Sequence, residues 1–472
     1  GNTTLGINGL HKATVQKVNM DNNQRSNIGY LGRASYSYDD RYFFTGSYRR
    51  DGASVFGVNQ KWGDFFAFGG AWRLSSEKFM SSISYLDDLK LKLSWGKNGN
   101  QGVDPYGTLS TINNGASGGV RYEFGGSDII YGLNQKALGN ANLGWETTES
   151  WNTGFESAWL GSRLFVDLDL YFSKTTDQIF TRDIPVMTGF KNMKSSMGQV
   201  NNRGVELTIR SVNIDTQDWY WTTNLTFWLN RNKLIHLYGE DLDGDGREDD
   251  DISNSRFIGK PLGAIYGYLQ DGIVQETDVE YMKANGATPG IPKYKDMDND
   301  GVITSADRII LGYSTPNFKL NMSNTITYKN WDLYFMLTGT FGGGGYYQKS
   351  NKGAYLTNGS GRFNTNGIYI PWWTPENKSN EYPAATFNDD GGRFLGLQNR
   401  AFVRLQDVTL SYTFREPWVQ KVNIQNLKVF FTAKNLFTIT KWQGGDPEVG
   451  VTVSENTYPV LTSFSLGANI SF

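Results

Sequence analysis

The chain has 472 residues, with 45 Lys and Arg against 47 Asp and Glu, so its formal net charge is −2. This near balance excludes the broad basic surface of a nucleic-acid-binding protein. The absence of cysteine excludes disulfides, thiolate catalysis and cysteine-ligated zinc, and His11 and His236 are too few for a catalytic or zinc-binding cluster. Carboxylates are plentiful but no glycosidase pair stands out, and we predict that the chain is not an enzyme.

Alternating apolar and polar residues predict β-strands along the whole chain. In 317–329 the apolar side chains of Phe318, Leu320 and Met322 alternate with polar ones, and 331–341 repeats the pattern as the return strand of a hairpin. The same alternation marks 163–173 and the last eleven residues. About thirteen strands are predicted, near 26–38, 42–51, 65–75, 89–96, 146–159, 162–176, 199–211, 219–235, 317–329, 331–346, 401–413, 426–435 and 462–472.

The length of these strands favours a membrane. Many run nine to thirteen residues, whereas a tilted strand crosses a bilayer in about 9 to 11. A sheet can lie in lipid only if it closes into a barrel with its polar parity facing inward. Trp and Tyr near strand ends, such as Trp72, Trp159 and Trp219, fit interfacial aromatic girdles, and the final Phe472 fits a barrel-assembly signal. A soluble β-sandwich or propeller is the alternative.

The predicted connections divide into very short and very long segments. Residues 39–41 and 160–161 are short turns, as expected on a periplasmic rim, where outer-membrane barrels have short turns opposite long extracellular loops. Aromatic side chains in the long loops either pack the loops together or line a ligand cavity. The long extracellular loops are predicted near 97–145, 177–198, 236–316, 342–400 and 436–461.

An acidic loop from Asp296 to Asp307 has the spacing of a calcium-binding loop. It carries carboxylates at positions 1, 3 and 5, a turn glycine at position 6, a backbone carbonyl at position 7 and oxygen side chains at positions 9 and 12. The twelfth residue is Asp rather than the usual Glu, and the alternative is a solvated acidic turn. The predicted ligands are Asp296, Asp298, Asp300, Val302, Thr304 and Asp307.

A second acidic run begins in the same way at Asp241, Asp243 and Asp245. Its twelfth position is Ile252, which has no side-chain oxygen. We interpret this run as a solvated loop tip.

Several segments together resemble the SusC/RagA family of TonB-linked outer-membrane transporters. They follow one another in family order over nearly the whole chain, so the set is specific although each segment alone is weak. The segments are 32–39, 42–57, 62–66, 71–73, 89–96, 99–102, 142–148, 202–207, 307–312 and 458–472.

The resemblance implies an all-β fold, a transmembrane antiparallel β-barrel in the outer membrane of a Gram-negative bacterium. It implies uptake of a bulky nutrient, an oligosaccharide or a peptide, through a 22-stranded barrel in contact with outer-membrane lipid. A SusD-like surface lipoprotein would cap the outer mouth, and TonB would supply energy.

Members of this family are about twice as long, and neither a TonB box nor a plug domain is recognisable here. We therefore expect residues 1–472 to form the C-terminal part of one barrel, about thirteen of its strands, with the plug and the remaining strands supplied from elsewhere. TonB would then act through that missing N-terminal region. Two other functions stay open: a structural or accessory barrel in a larger outer-membrane assembly, and a secreted β-rich carbohydrate-binding protein.

Overall fold

The computed structural model describes residues 23–114, 121–123, 129–131, 133–190, 192–346, 371–384, 387, 397–421, 424–442, 446–448 and 460–472. His11 and the middle of the predicted loops 342–400 and 436–461 lie outside these residues. Within the described ranges, no helix is both long and apolar enough to cross a bilayer.

Thirteen antiparallel strands in the described chain form one sheet, in which each strand pairs with its neighbours in this series. The prediction of an all-β fold with about thirteen strands is confirmed. The strands are β1 (Asn27–Tyr38), β2 (Tyr42–Ala53), β3 (Trp62–Arg73), β4 (Leu86–Asn100), β5 (Glu146–Trp159), β6 (Leu164–Asp183), β7 (Asn192–Asp215), β8 (Trp219–His236), β9 (Pro316–Tyr328), β10 (Trp331–Gly342), β11 (Phe402–Phe414), β12 (Asn426–Thr440) and β13 (Ser463–Ser471).

The register of the sheet places apolar residues on one face. Phe155, Leu168, Leu207, Phe227 and Leu320 stand directly opposite one another on β5 to β9. Successive side chains of a strand point to opposite faces, and the row shifted by one residue is therefore on the other face.

That neighbouring row is polar. It consists of Glu156, Asp167, Thr208, Thr226 and Asn321, again in register. The sheet therefore has an apolar face suited to lipid and a polar face suited to a wet lumen. We call these the outer face and the inner face.

Aromatic residues mark the short-turn end of the outer face. Tyr42 stacks on Tyr38 and on Trp72, with ring centroids 6.5 and 6.3 Å apart. At the other end of β2 and β3, Tyr30 stacks on Trp62 at 6.3 Å. The ten-residue rise of β2 from Tyr42 to Gly52, tilted as in outer-membrane barrels, spans about 25 Å, the height of the apolar band of such barrels.

The predicted loop over 177–198 is wrong for most of its length. β6 runs on to Asp183 and β7 begins at Asn192, so only residues 184–191 connect them. The ladder continues past a bulge near Asp177, whose φ is +56°. This extension is mostly polar, and its apolar residues Ile179 and Phe180 are consecutive, so the apolar alternation that reveals a strand in the sequence is interrupted there.

The other connections contain small elements of their own. Strand pairs join Thr111–Asn114 to Leu133–Ala137, Arg121–Glu123 to Ile129–Tyr131, Ala264–Tyr268 to Arg308–Tyr313, Gln270–Ile273 to Pro292–Tyr294 and Gly344–Tyr346 to Leu397–Asn399. The helices within the described residues are α1 (Val279–Asn285) and α2 (Pro417–Lys421), with 3-10 turns at Leu74–Ser76, Lys78–Met80, Val186–Thr188, Ile252–Asn254 and Ser305–Asp307.

Two buried clusters fix these connections to the inner face at the long-loop end. One packs Phe56, Leu143 and Trp145 against Phe65 of β3. The other packs Leu234 and Leu237 against Phe180 and Val200. The first cluster also contains Ala53, Val55 and Val103. These clusters attach the long connections, which are folded, to the long-loop end of the sheet.

Candidate functional site

The inner face carries a cationic side chain among three carboxylates. Lys92 of β4 reaches Asp167 Oδ1 at 2.9 Å, Asp169 Oδ2 at 3.1 Å and Glu156 Oε1 at 3.3 Å. Lys90 also contacts Glu156, at 3.9 Å. Three carboxylates therefore face two lysines, and this part of the wall keeps an excess of negative charge.

A second polar group lies on β9 to β12. Lys428 Nζ is 2.7 Å from Asp332 Oδ2, and Thr327 Oγ1 donates to Asp332 Oδ1 at 2.8 Å. Ser411 completes the group at 3.4 Å. Each charge is satisfied locally, so this part of the wall can face either water or a moving polar ligand.

Between these groups the inner face of β6 to β8 carries a cluster of amides. Tyr171 Oη donates to Asn230 Oδ1 at 3.0 Å, and Asn230 Nδ2 donates to Asn202 Oδ1 at 3.3 Å. A Cβ at Gly204 would lie 2.3 Å from Tyr171 Oη, so the glycine makes room for the ring. Amides and a phenol ring offer hydrogen bonds and a flat apolar surface to a polar ligand.

The acidic loop predicted to bind calcium forms a tight turn. Asp296 accepts hydrogen bonds from the N–H of Asn299 at 2.6 Å and of Gly301 at 2.7 Å. Asn299 and Gly301 have φ of +62° and +86°, a region that favours Asn and Gly.

Asp307 closes this loop from inside. It is fully buried, and it accepts from the N–H of Thr304 and of Met297, both at 2.7 Å. These backbone donors hold the pKa of the Asp307 carboxyl below its usual value. Thr304 in turn caps the 3-10 turn, accepting from Ala306 N–H at 3.2 Å.

Only part of the predicted calcium ligand set converges. Carboxylate oxygens of Asp296, Asp298 and Asp307 lie within 4.8 Å of one another. Asp300 is not in this cluster and instead accepts from Val302 N–H at 2.7 Å. Calcium binding by this loop stays a prediction.

The second acidic run has the same turn. Asp241, Asp243 and Asp245 converge within 4.8 Å and are exposed, and Gly246 N–H donates to Asp241 at 2.9 Å, as Gly301 does to Asp296. Asp249 accepts a hydrogen bond from the N–H of Leu242 at 2.7 Å. In the first loop, Asp307 accepts the equivalent hydrogen bond from the N–H of Met297. Sequence reasoning required an oxygen ligand at position 12 and so passed over Asp249 at position 9.

His236 pairs with one acid. Its Nδ1 is 3.2 Å from Glu248 Oε2, while Glu248 Oε1 accepts from the N–H of Leu237 and Gly239, both at 2.7 Å. Burial acts to raise the pKa of Glu248, but these hydrogen bonds keep the pKa below its usual value. His236 therefore helps to hold the segment after β8 in place through Glu248.

One loop aromatic packs rather than lining an open cavity. Trp373 is 8% exposed, and its Nε1 donates to Gln275 Oε1 at 2.9 Å. For this residue the loop-packing interpretation of the aromatic side chains applies.

A buried ion pair at the mouth escaped sequence reasoning. Arg404 of β11 donates to Asp446 and to Glu448, each at 2.8 Å, and to Thr438 at 3.0 Å. The Arg404 and Asp446 side chains are 5% and 6% exposed. A lone arginine and an acid 42 residues apart give no local pattern, so no sequence signal could have found the pair.

A two-faced sheet with aromatic rows at both ends of its apolar face, and with folded connections at one end, defines a transmembrane β-barrel protein. The chain matches the family model described as TonB dependent receptor-like, beta-barrel, over residues 2–436, and it belongs to that family. The family comprises outer-membrane receptors and transporters rather than enzymes. The prediction of an outer-membrane barrel is confirmed, and the soluble sandwich, the propeller and the secreted protein are set aside.

Similar proteins include the TonB-dependent receptor SusC of Bacteroides thetaiotaomicron, 30% identical over 98% of this chain and 45% of the relative. TonB-dependent receptor P3 of Formosa agariphila is 29% identical over 95% of this chain and 46% of the relative. The chain spans about half the length of the relatives it matches.

A solved structure with the same fold is the RagAB peptide importer in its open-open state. It matches with a TM-score of 0.76 and 22% identity, over 95% of this chain and 47% of that chain. This likeness supports the fold.

Proposed function

We propose that the chain forms the C-terminal barrel part of an outer-membrane transporter that imports a bulky nutrient, an oligosaccharide or a peptide, with energy from TonB. The observation that carries this proposal is the continuous polar inner face. Similarity to the TonB-dependent receptor SusC and to the RagAB peptide importer supports the transport role.

The inner face is suited to passage rather than to tight capture. In the polar groups described above, charged side chains pair with one another, as Lys92 does with Asp167, and amides pair as Asn230 does with Asn202. A passing ligand therefore exchanges hydrogen bonds with the wall instead of satisfying buried unpaired groups, and the net gain at each step is small.

Further strands are required to complete the barrel. In the described part of the chain β1 pairs only with β2, and β13 pairs only with β12. These two edge strands of the sheet do not pair with each other. Unpaired backbone groups in hydrocarbon cost several kcal/mol each. We therefore propose that an N-terminal region contributes the remaining strands and the plug, and that TonB acts through that region.

The long connections on the mouth suggest a cap as partner. The segment between β8 and β9 folds as a layer with its own strands and helix α1, and it offers a structured platform. A SusD-like surface lipoprotein docking there would trap the substrate before the plug moves.

The experiment is deletion of the gene followed by growth on a panel of single nutrients. Transport predicts loss of growth on one bulky oligosaccharide or peptide class, normal growth on its monomers, and co-purification of a SusD-like lipoprotein. The accessory-barrel alternative predicts normal growth on every nutrient together with loss of a larger outer-membrane assembly. Normal growth would refute the transport proposal.

A further inference from the structure

Three basic side chains share the long-loop end of the outer face. Arg203 of β7 stands directly opposite Arg231 of β8, and Lys233 follows two residues later on the same face. All three are exposed. We call Arg203, Arg231 and Lys233 the outer basic cluster.

The register fixes the face on which this cluster lies. Val205 of β7 and Leu229 of β8 stand opposite each other, two residues from Arg203 and Arg231, and therefore lie on the same face. Leu170 of β6 stands opposite Val205 on the other side. The ladder from Val200 to Val212 runs without a bulge, so the basic side chains point to the same side as these apolar ones.

The cluster also lies at a defined depth. Trp219 lies at the short-turn end of β8, on the same face as Arg231, and packs against Tyr328 with ring centroids 4.4 Å apart. Along a tilted strand, the rise from Trp219 to Arg231 is about 30 Å, which exceeds the apolar band of about 25 Å. This end joins the long connections, which are extracellular in outer-membrane barrels, so the cluster meets the headgroups of the outer leaflet.

The cluster lacks counter-ions. Among the described residues, no acid lies within ion-pair distance of Arg203, Arg231 or Lys233. One Arg231 nitrogen, Nη1, donates to the backbone carbonyls of Asn230 and Asn317 at 3.0 and 2.6 Å. The nearest outer-face acid in register is Glu149, which stands opposite Lys174 and accepts from Trp95 Nε1 at 2.7 Å.

Two arginines placed directly opposite each other on a sheet repel and lower its stability. An anion between them removes this cost, and phosphate suits the planar guanidinium because it accepts two parallel hydrogen bonds. The apolar row below the cluster, Leu170, Val205 and Leu229, would contact acyl chains.

We propose that the outer basic cluster binds the phosphate of a phosphorylated anionic lipid in the outer leaflet, with the acyl chains of that lipid lying along the apolar row. The site holds the lipid beside the mouth and anchors the β7–β8 hairpin against the membrane surface.

The test measures lipid binding by native mass spectrometry on the protein extracted in detergent from outer membranes, together with the chains that co-purify. The probe is lipid A with its phosphates, compared with the same lipid after phosphatase treatment. Arg203→Gln with Arg231→Gln is expected to weaken binding of the phosphorylated lipid by about ten-fold or more. The matched control, Arg210→Gln with Lys319→Gln, removes two cations from the inner face of β7 and β9 and should bind as the wild type does.

Several outcomes overturn the proposal: unchanged binding in the outer-face double variant, an equal loss in the control, or equal binding of dephosphorylated lipid. Displacement of the lipid by inorganic phosphate at equal concentration would identify a site for soluble anions instead. If the double Gln variant fails to insert, the salt dependence of lipid binding to the wild-type protein tests the proposal instead. The preference of the wild type for the phosphorylated lipid must weaken as ionic strength rises, and a preference that does not change with salt overturns the proposal.

Discussion

Arg404 lies at the long-loop end of β11 with its side chain only 5% exposed, and it holds residues 446–448, between β12 and β13, through Asp446 and Glu448. Removing one partner of a buried ion pair leaves the other charge buried and uncompensated, which costs more than the pair contributes. Exposure distinguishes the two acids, since Asp446 is 6% and Glu448 is 58% exposed.

We expect Asp446→Ala to destabilise this end of the sheet by about 3–5 kcal/mol. Glu448→Ala is the matched control and should cost at most about 1 kcal/mol, because its exposed carboxylate is screened by water. Urea denaturation of each variant in detergent measures both changes. Equal effects of the two substitutions would show that burial of Arg404 is not what fixes the loop.

Two glycines of the sheet differ sharply in the space around them. A Cβ at Gly154 would lie 2.1 Å from the carbonyl oxygen of Leu168, whereas a Cβ at Gly32 would meet nothing within 4 Å. We expect Gly154→Ala to cost about 1–3 kcal/mol through forced separation of β5 and β6. Gly32→Ala should be close to neutral, and thermal unfolding of the two variants tests the contrast. A Gly154→Ala protein as stable as Gly32→Ala would contradict the close approach.

Among the elements, strands with one apolar face could be predicted from sequence, because the alternation exists only where one face meets lipid. β9 and β10 are the clearest examples. The same reasoning missed most of residues 177–198, because the bulge near Asp177 and the consecutive apolar residues Ile179 and Phe180 interrupt the alternation. It also missed the grouping of Lys92 with Asp167, since residues 75 apart meet only through strand register.

The acidic loop is the candidate site that sequence reasoning came closest to, and it supplies a separate test. If the loop binds calcium, the ion should protect residues 285–307 from proteolysis, and Asp298→Ala with Asp300→Ala should abolish that protection. Asp243→Ala with Asp245→Ala, in the other acidic turn, is the control and should leave protection of 285–307 unchanged. Identical digestion with calcium and with a chelator would reduce the loop to a solvated turn.

The segment after β8 should loosen in acid. Burial acts to raise the pKa of Asp251, but hydrogen bonds from Ser253 and Asn254 keep that pKa below its usual value, and the Glu248 pKa is also lowered. A carboxyl group whose pKa is lower in the folded than in the unfolded protein stabilises the fold. This stabilisation is complete at pH values above the unfolded pKa, which is about 3.9 for Asp and 4.3 for Glu. This stabilisation is lost as pH falls through the lower folded values.

Hydrogen exchange at residues 237–258 should therefore be constant from pH 7 to about pH 5, after correction for the intrinsic rate, and should rise below about pH 4. Asp251→Asn should remove part of this dependence. Exchange that increases on going above pH 5 would contradict the assignment.

For the whole molecule, the central feature is a sheet whose thirteen strands carry lipid-facing residues on one side and a polar wall on the other. Family membership is shown over residues 2–436, and the chain spans about half of its relatives. The strand count, the faces and the membrane could be predicted from the sequence. The folded layer over the mouth could not, because its strands are too short and irregular to give a period.

The most direct measurement is accumulation of a fluorescently labelled oligosaccharide or peptide in cells with and without the gene, and with and without TonB. Nutrient import by this barrel predicts uptake of one bulky substrate class that disappears in either deletion and returns with the complementing gene. Uptake that persists without the gene, or that continues at the same rate without TonB, would contradict the account.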